Sequence, residues 1–136
     1  MKIYLPNILS TSPTYLPPLD KAVFYYVVHS AFNALGDGSE DCVLKVDINE
    51  LVRIINSSNL ETPDTKCLIV ECINRLTSVK ISLVDGGFHI KVCPVSSVYL
   101  YWSIAYVGLD PVIVGYLDQV FDGNYVVYDM ISNTMI

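Results

Sequence analysis

Apolar residues recur at intervals of three and four along the first half of the chain, which is the spacing of one face of a helix. The first such run begins after Asp20 and stops at Gly36, a residue type that commonly ends helices. A second run follows Asp47, and the spacing of Asp47 and Glu50 is that of a capping box. The pattern therefore predicts two helices, with apolar faces formed by Phe24, Val27, Val28, Ala31, Phe32 and Leu35 and by Ile48, Leu51, Val52 and Ile55.

A third helix is predicted from Pro63 to about Thr77. Thr62 before Pro63 is typical of a helix cap followed by proline at the first helical position, where proline is favoured. Its apolar face consists of Leu68, Ile69, Cys72, Ile73 and Leu76. Between the first two helices, residues 43–46 are short and rich in β-branched side chains, which predicts a small strand.

Alternation of apolar and polar residues predicts strands in the middle of the chain. Residues 80–84 and 88–92 alternate on either side of a glycine turn at 85–87, so they form a predicted hairpin. One face carries Ile81, Leu83, Phe88, Ile90 and Val92, and the other carries Lys80, His89 and Lys91. Residues 98–107 also alternate and predict a third strand, with Leu100, Trp102 and Ile104 directed inward and Tyr99, Tyr101 and Ser103 outward.

Both ends of the chain are less regular. Residues 1–19 hold four of the seven prolines, which predicts an irregular, proline-rich arm before a single domain spanning 20–136. After Asp110 a short helix fits the apolar residues Ile113, Tyr116, Leu117, Val120 and Phe121, although the run 112–114 also suits a strand. A final short element is predicted over 125–131, where the three-residue spacing of Tyr125 and Tyr128 favours a helix.

Composition supports a compact fold and limits the function. Hydrophobic residues form 52% of the 136 residues and charged residues only 16%, a balance that excludes intrinsic disorder. No uninterrupted apolar stretch approaches the ~18 residues of a membrane span, and residues 1–20 lack the pattern of a signal peptide. We therefore expect a soluble, cytoplasmic protein. The net charge of −6 disfavours uniform attachment to nucleic acid or anionic lipid and favours a protein partner.

Enzymatic and metal chemistry find little support in the sequence. His29 and His89 have no serine or cysteine nucleophile at a recognisable spacing, and Gly86-Gly87 lacks the remainder of a phosphate-binding loop. We therefore expect no catalytic activity. No C-x-x-C pair occurs among the four cysteines, so we expect reduced thiols, no metal site and no cofactor. These cysteines are Cys42, Cys67, Cys72 and Cys93.

The predicted order of a helix, a short strand, two helices and a hairpin is that of a winged helix, an α+β fold. Over residues 20–92 the chain resembles the first winged-helix domain of plasmid replication initiator proteins, and 114–131 looks like the stretch that leads out of that domain. The resemblance implies a winged-helix-like domain of three helices and a hairpin wing, with a C-terminal strand and a short helix. It also implies pairing with another copy. The second winged helix of such initiators, which makes many of their DNA contacts, is not contained in these 136 residues.

DNA binding is an alternative that the resemblance suggests, because the third helix of a winged helix reads the major groove and the wing touches the backbone. The residues that would contact DNA are Lys66, Arg75, Lys80, His89 and Lys91. Asp64 and Glu71 offset Lys66 and Arg75, so the third helix has no net charge. Specific DNA-binding proteins commonly neutralise roughly 6–10 phosphates, and this set of cations is too small for that.

The last third of the chain is acidic and aromatic. No Lys or Arg follows Lys91, whereas Asp110, Asp118, Asp122 and Asp129 do. Tyrosine tolerates both water and a dry contact, and it is enriched where proteins meet. We therefore predict a protein interface that includes Tyr99, Tyr101, Tyr116, Asp118, Asp122, Tyr125 and Tyr128.

These observations favour a non-enzymatic, acidic interaction module on a winged-helix scaffold, which dimerises or binds and inhibits a protein partner. Two alternatives stay open. The first is a replication or transcription regulator that binds DNA. The second is a phage or mobile-element inhibitor of a host defence complex, whose acidic surface imitates DNA.

Overall fold

The computed structural model describes residues 1–10, 16–36 and 43–136, in which helices combine with small antiparallel sheets. The helices are α1 (Pro18–Gly36), α2 (Ile48–Asn56), α3 (Thr65–Arg75), α4 (Pro111–Tyr116) and α5 (Asp118–Phe121). The strands are β1 (Lys2–Pro6), β2 (Val43–Asp47), β3 (Ile81–Asp85), β4 (Phe88–Val92), β5 (Val95–Tyr101), β6 (Ile104–Leu109), β7 (Tyr125–Asp129) and β8 (Thr134–Met135). The predicted α+β class is confirmed. Cys42 lies outside the described residues.

Helix α1 is buried on all sides along its middle part. Every residue from Ala22 to Val28 is buried, because the helix is apolar around its circumference and not along one stripe alone. Strands β1 and β2 and helix α3 all pack against it. The predicted apolar face is confirmed from Phe24 to Phe32, and it is narrower than the surface that the helix buries. The side chain of Leu35 lies outside the described part of the helix.

The two helices after β2 begin near their predicted positions. Asp47 caps α2, because its Oδ1 accepts hydrogen bonds from the backbone N–H of Asn49 at 3.0 Å and of Glu50 at 3.3 Å. Helix α3 begins at Thr65, two residues later than predicted, and the residues after Thr62 form a turn. The buried Thr65 hydroxyl donates to Asn56 Oδ1 at 2.6 Å, which ties the start of α3 to the end of α2.

Three antiparallel sheets complete the described part of the chain. Strand β6 lies between β2 and β5, whereas β3 and β4 form a hairpin of their own around Gly86, which has a φ of 59°. This hairpin is the one predicted from the glycine turn. Strand β7 lies between β1 and β8.

Both chain ends differ from their predictions. Residues 2–6 are not irregular: they form β1, which pairs with β7 from Lys2 opposite Asp129 to Pro6 opposite Tyr125. Pro6 is tolerated because it occupies the last position of the strand. The predicted helix over 125–131 is also wrong, since Tyr125–Asp129 is the strand that completes this pair. The short helix predicted after Asp110 is confirmed as α4 and α5.

The predicted third strand over 98–107 is two strands joined by a tight turn. Tyr101 lies opposite Ile104, so the turn consists of Trp102 and Ser103 alone. Trp102 is therefore not directed into the core. It stands at the tip of the β5–β6 hairpin, where 88% of its surface is exposed.

Candidate protein interface

The β5–β6 hairpin extends beyond the core that its base covers. Near the base, Ala105, Val107 and Leu109 of β6 are fully buried. Near the tip, Leu100 lies on the same face of the sheet yet is 40% exposed. Both faces of the tip are therefore accessible, although the alternation of the sequence predicts a buried face along its whole length.

Aromatic rings dominate the accessible part of this hairpin. Tyr99 and Tyr101 lie on the outward face and are 65% and 56% exposed, as predicted from their positions in the strand. The Tyr101 and Trp102 ring centroids are 6.4 Å apart with the planes at 89°, an edge-to-face arrangement. We call the exposed residues Tyr99, Leu100, Tyr101 and Trp102, together with the half-buried Tyr106, the aromatic tip.

A row of side chains across the sheet orients the base of the aromatic tip. Tyr106 lies opposite Tyr99 on β5, with ring centroids 6.1 Å apart, and opposite Lys45 on β2. The Lys45 ammonium lies 5.9 Å from the centre of the Tyr106 ring, within the range of a cation–π contact. Cross-strand pairs of this kind hold the rings in one arrangement. The tyrosines are therefore presented by a rigid sheet.

The turn at the tip has an unusual backbone. Trp102 has a φ of 57°, in the left-handed region that bulky side chains rarely adopt. Asn or Gly would occupy this position of a two-residue turn with less strain. A large apolar ring that is exposed and is carried by a strained backbone does not stabilise the isolated chain by burial. The arrangement instead favours a role in contact with another molecule.

Strand β5 also forms an open edge of its sheet. It spans seven residues, and among the described residues β6 is its only strand neighbour. Neither β5 nor β6 contains a charged residue. Edge strands in monomeric proteins usually carry charges or proline that prevent pairing with other chains, and β5 has neither. The edge is therefore free of protecting charges and proline over its length, and a register irregularity interrupts the pairing with β6 only at its start, between Val95 and Ser97.

The other predicted interface residues lie on different elements and do not extend the aromatic tip. The hydroxyl of Tyr116 on α4 donates to Asp85 Oδ2 of the β3–β4 hairpin at 2.9 Å. Tyr125 on β7 packs edge-to-face on Tyr4 of β1, with centroids 5.1 Å apart. Asp118 and Asp122 are exposed at the two ends of α5. These side chains are accessible, but the described residues show no contact that joins them to the aromatic tip.

Tyr128 is a correction to the predicted interface, because only 1% of its surface is exposed. Its ring packs on that of Tyr25 with centroids 4.7 Å apart, and its hydroxyl donates to Asn133 Oδ1 at 2.8 Å. Burial raises the pKa of the phenol to about 12. Tyr128 is a core residue because β7 is the central strand of its sheet.

The five residues of the DNA-binding alternative differ in whether their side chains are engaged by other residues of the fold. Lys66, Lys80, His89 and Lys91 are exposed. Arg75 instead donates to Asp20 from Nε to Oδ2 at 3.0 Å and from Nη2 to Oδ1 at 2.9 Å, so its guanidinium is engaged within the fold. The outward face of the β3–β4 hairpin carries its positive charges as predicted. Phe88, predicted on the inward face, is 75% exposed because it lies at the end of the hairpin beside Gly87.

Sequence reasoning missed Trp102 as a surface residue. The signal that indicates a turn here is the length of the strand-like run. It extends over 95–109, which exceeds the 3–10 residues of an ordinary strand. A turn within the run follows from that length, although neither Gly nor Asn marks it.

Comparison with protein families and with curated proteins finds no relative of this chain. No protein-family model matches the chain, and a search of curated proteins finds no match. The resemblance to replication initiators therefore stays a prediction from the sequence. Within the described residues no helix is long and apolar enough to cross a membrane, and no cluster of three or more His, Cys, Asp or Glu has the arrangement of a metal site.

Proposed function

We propose that this chain is a non-enzymatic protein-interaction module that contacts a second copy of itself through the aromatic tip and the open edge of β5. The observation that carries the proposal is the exposure of Trp102, Tyr101 and Tyr99 on an uncharged hairpin of a chain with a net charge of −6. Two such hairpins meet without like-charge repulsion, whereas the net charge of −6 is carried by the remainder of the chain.

The area available is consistent with a modest interface. An aromatic side chain contributes about 150–250 Å² when it is fully buried, so the exposed parts of these three rings amount to roughly 400 Å² on each copy. A stable interface takes about 800 Å² from each partner. The backbone edge of β5, with Leu100 and Tyr106, lies beside the rings and supplies further area. Antiparallel pairing of two β5 strands would use this surface on both copies in the same way, as a two-fold dimer requires.

The scaffold that we propose is a winged helix in which β5–β6 is the wing. The order α1, β2, α2 and α3 supports the winged helix, and the pairing of β2 with β6 supports β5–β6 as its wing. In a winged helix, the strand between the first two helices adds to the wing hairpin. On this interpretation β3–β4, which the sequence suggested as the wing, is an insertion between α3 and the wing. The aromatic tip is then the tip of the wing.

Sedimentation equilibrium on designed variants tests this proposal. Trp102→Asn suits the left-handed backbone and removes the ring, and Tyr101→Thr keeps the preference for a strand. We expect the wild-type chain to dimerise and the double variant to dimerise at least about tenfold more weakly, since hot-spot truncations cost roughly 2 kcal/mol or more. Phe88→Ser is the matched control, because it removes an exposed ring from the other hairpin. A wild-type chain that stays monomeric at all concentrations, or a double variant that dimerises normally, would contradict the proposal.

A further inference from the structure

A half-open cavity of about 210 Å³ lies beside the start of α1, on elements that do not include the aromatic tip. Its walls come from α1, from the turn after β1 and from the segment that contains β8. The volume corresponds to about seven water molecules at roughly 30 Å³ each. This is smaller than the 300–1,000 Å³ typical of pockets for drug-sized ligands. A ligand enclosed here would have only a few heavy atoms.

Lys21 is the only charged side chain that lines the cavity. Among the described residues it has no ion-pair or hydrogen-bond partner, whereas the neighbouring Asp20 is engaged by Arg75. No carboxylate lines the cavity, although the chain as a whole carries six more acidic than basic residues. The charge of the cavity is therefore opposite to that of the protein.

Two aliphatic hydroxyls line the cavity together with Lys21, those of Ser10 and Thr134. The Thr134 hydroxyl lies 2.8 Å from Ser132 Oγ, whereas the Ser10 hydroxyl has no hydrogen-bond partner within the described ranges. The phenols of Tyr25 and Tyr128 are fixed, since they donate to Leu9 O at 3.3 Å and to Asn133 Oδ1 at 2.8 Å.

The two phenols also remain neutral. Burial raises the pKa of Tyr25 and of Tyr128, so neither becomes an anion near neutral pH. Their rings supply apolar wall, and Lys21 supplies the only formal charge.

We propose that this cavity binds a small oxyanion, a carboxylate or phosphate group, through the Lys21 ammonium and the Ser10 and Thr134 hydroxyls. An ammonium is a compact point charge that suits such groups, and hydroxyls donate to the remaining oxygens. The tyrosine rings contact whatever apolar part the anion carries. This site is independent of the aromatic tip.

Calorimetric titration of the full chain with inorganic phosphate and with acetate, at constant ionic strength, tests the proposal. We expect saturable binding of at least one of the two anions, and Lys21→Gln should weaken it at least about tenfold, since a hydrogen bond to a charged group contributes roughly 1.5–3 kcal/mol. Lys66→Gln is the matched control, because it removes the same charge from an exposed site on α3. It should bind as the wild type does.

Two further variants keep the test decisive if Lys21→Gln does not fold. Ser10→Ala retains the charge and should weaken binding, and Lys21→Arg should preserve it. The proposal is overturned if neither anion binds saturably, if Lys66→Gln weakens binding as much as Lys21→Gln, or if neither cavity substitution, Lys21→Gln nor Ser10→Ala, has an effect.

Discussion

Arg75 on α3 holds the buried carboxylate of Asp20 on α1 with two hydrogen bonds, at 3.0 Å from Nε to Oδ2 and at 2.9 Å from Nη2 to Oδ1. The Cys72 thiol donates to the same Oδ1 at 3.0 Å. Burial disfavours the ionised carboxyl, but the hydrogen bonds from Arg75 and Cys72 outweigh it and lower the pKa of Asp20. The contact joins the first and third helices, and β2 of the sheet with the aromatic tip packs against the first of them.

Removal of this contact should destabilise the fold. Arg75→Gln leaves a buried carboxylate without its charged donor, so we expect the free energy of unfolding to fall by about 1.5–3 kcal/mol. Urea denaturation measures the change. Glu71→Gln is the control, because it removes only the exposed 3.8 Å ion pair of Arg75 and should change stability by less than about 0.5 kcal/mol. Equal effects of the two substitutions would contradict the role given to Asp20.

His29 should make stability depend on pH in a defined window. Burial lowers its pKa below the usual 6.5, so the folded chain prefers the neutral imidazole. The free energy of unfolding should be constant between about pH 7 and 8 and should fall as the pH drops through 6.5, because the unfolded state then binds the proton more readily. The loss should stop below the lowered pKa of the folded state. Asp20 does not contribute in this window, since its pKa lies below 3.8.

Substitution of the two histidines checks this assignment. His29→Gln should remove the decline between pH 7 and the acid end of the window, and His89→Gln, at an exposed position, should leave it in place. Urea denaturation at a series of pH values provides the comparison. Parallel curves for His29→Gln and the wild type would show that another group is responsible.

Several helices and one hairpin of this fold can be predicted from local sequence patterns. Asp47 before an apolar run is sufficient to place α2, since the side chain caps the helix that it precedes. The β3–β4 hairpin follows from Gly86, whose positive φ is one that glycine adopts readily. These features are local, so a single sequence is enough to predict them.

The features that depend on distant partners could not be predicted in this way. Strand β1 exists because Lys2–Pro6 pairs with Tyr125–Asp129, and no local pattern indicates a partner so far along the chain. The burial of Tyr128 depends on the same pairing. The sequence predicts Trp102 inward because a turn of Trp and Ser lacks the residues that usually indicate one, so that 98–107 resembles a single strand.

DNA binding should be weak. With Arg75 engaged by Asp20 and four exposed basic or imidazole groups left in the predicted set, we expect the chain to bind generic duplex DNA no tighter than ~10 μM at physiological salt. Fluorescence anisotropy of a labelled duplex measures this affinity. Nanomolar binding with a steep loss as salt rises would favour the regulator alternative, and substitution of Lys66, Lys80 and Lys91 by glutamine would then locate the surface.

Trp102 should be dispensable for folding of the monomer. A buried tryptophan would cost roughly 3–5 kcal/mol when truncated. Because Trp102 is exposed and strained, we expect Trp102→Asn to leave the stability unchanged or to raise it by about 0.5–1 kcal/mol. Urea denaturation at low protein concentration separates this effect from dimerisation. A loss of several kcal/mol would contradict the exposed position of the ring.

The central claim, that the aromatic tip is a contact surface between two copies, is tested most directly by the fluorescence of Trp102. It is the sole tryptophan of the chain, so the signal comes from the tip of the β5–β6 hairpin and from nowhere else. As the protein concentration rises, we predict a saturable shift of the emission to shorter wavelength and a parallel loss of quenching by acrylamide, because the ring leaves water as the dimer forms. A dimer whose Trp102 emission and quenching equal those of the dilute monomer would contradict the claim.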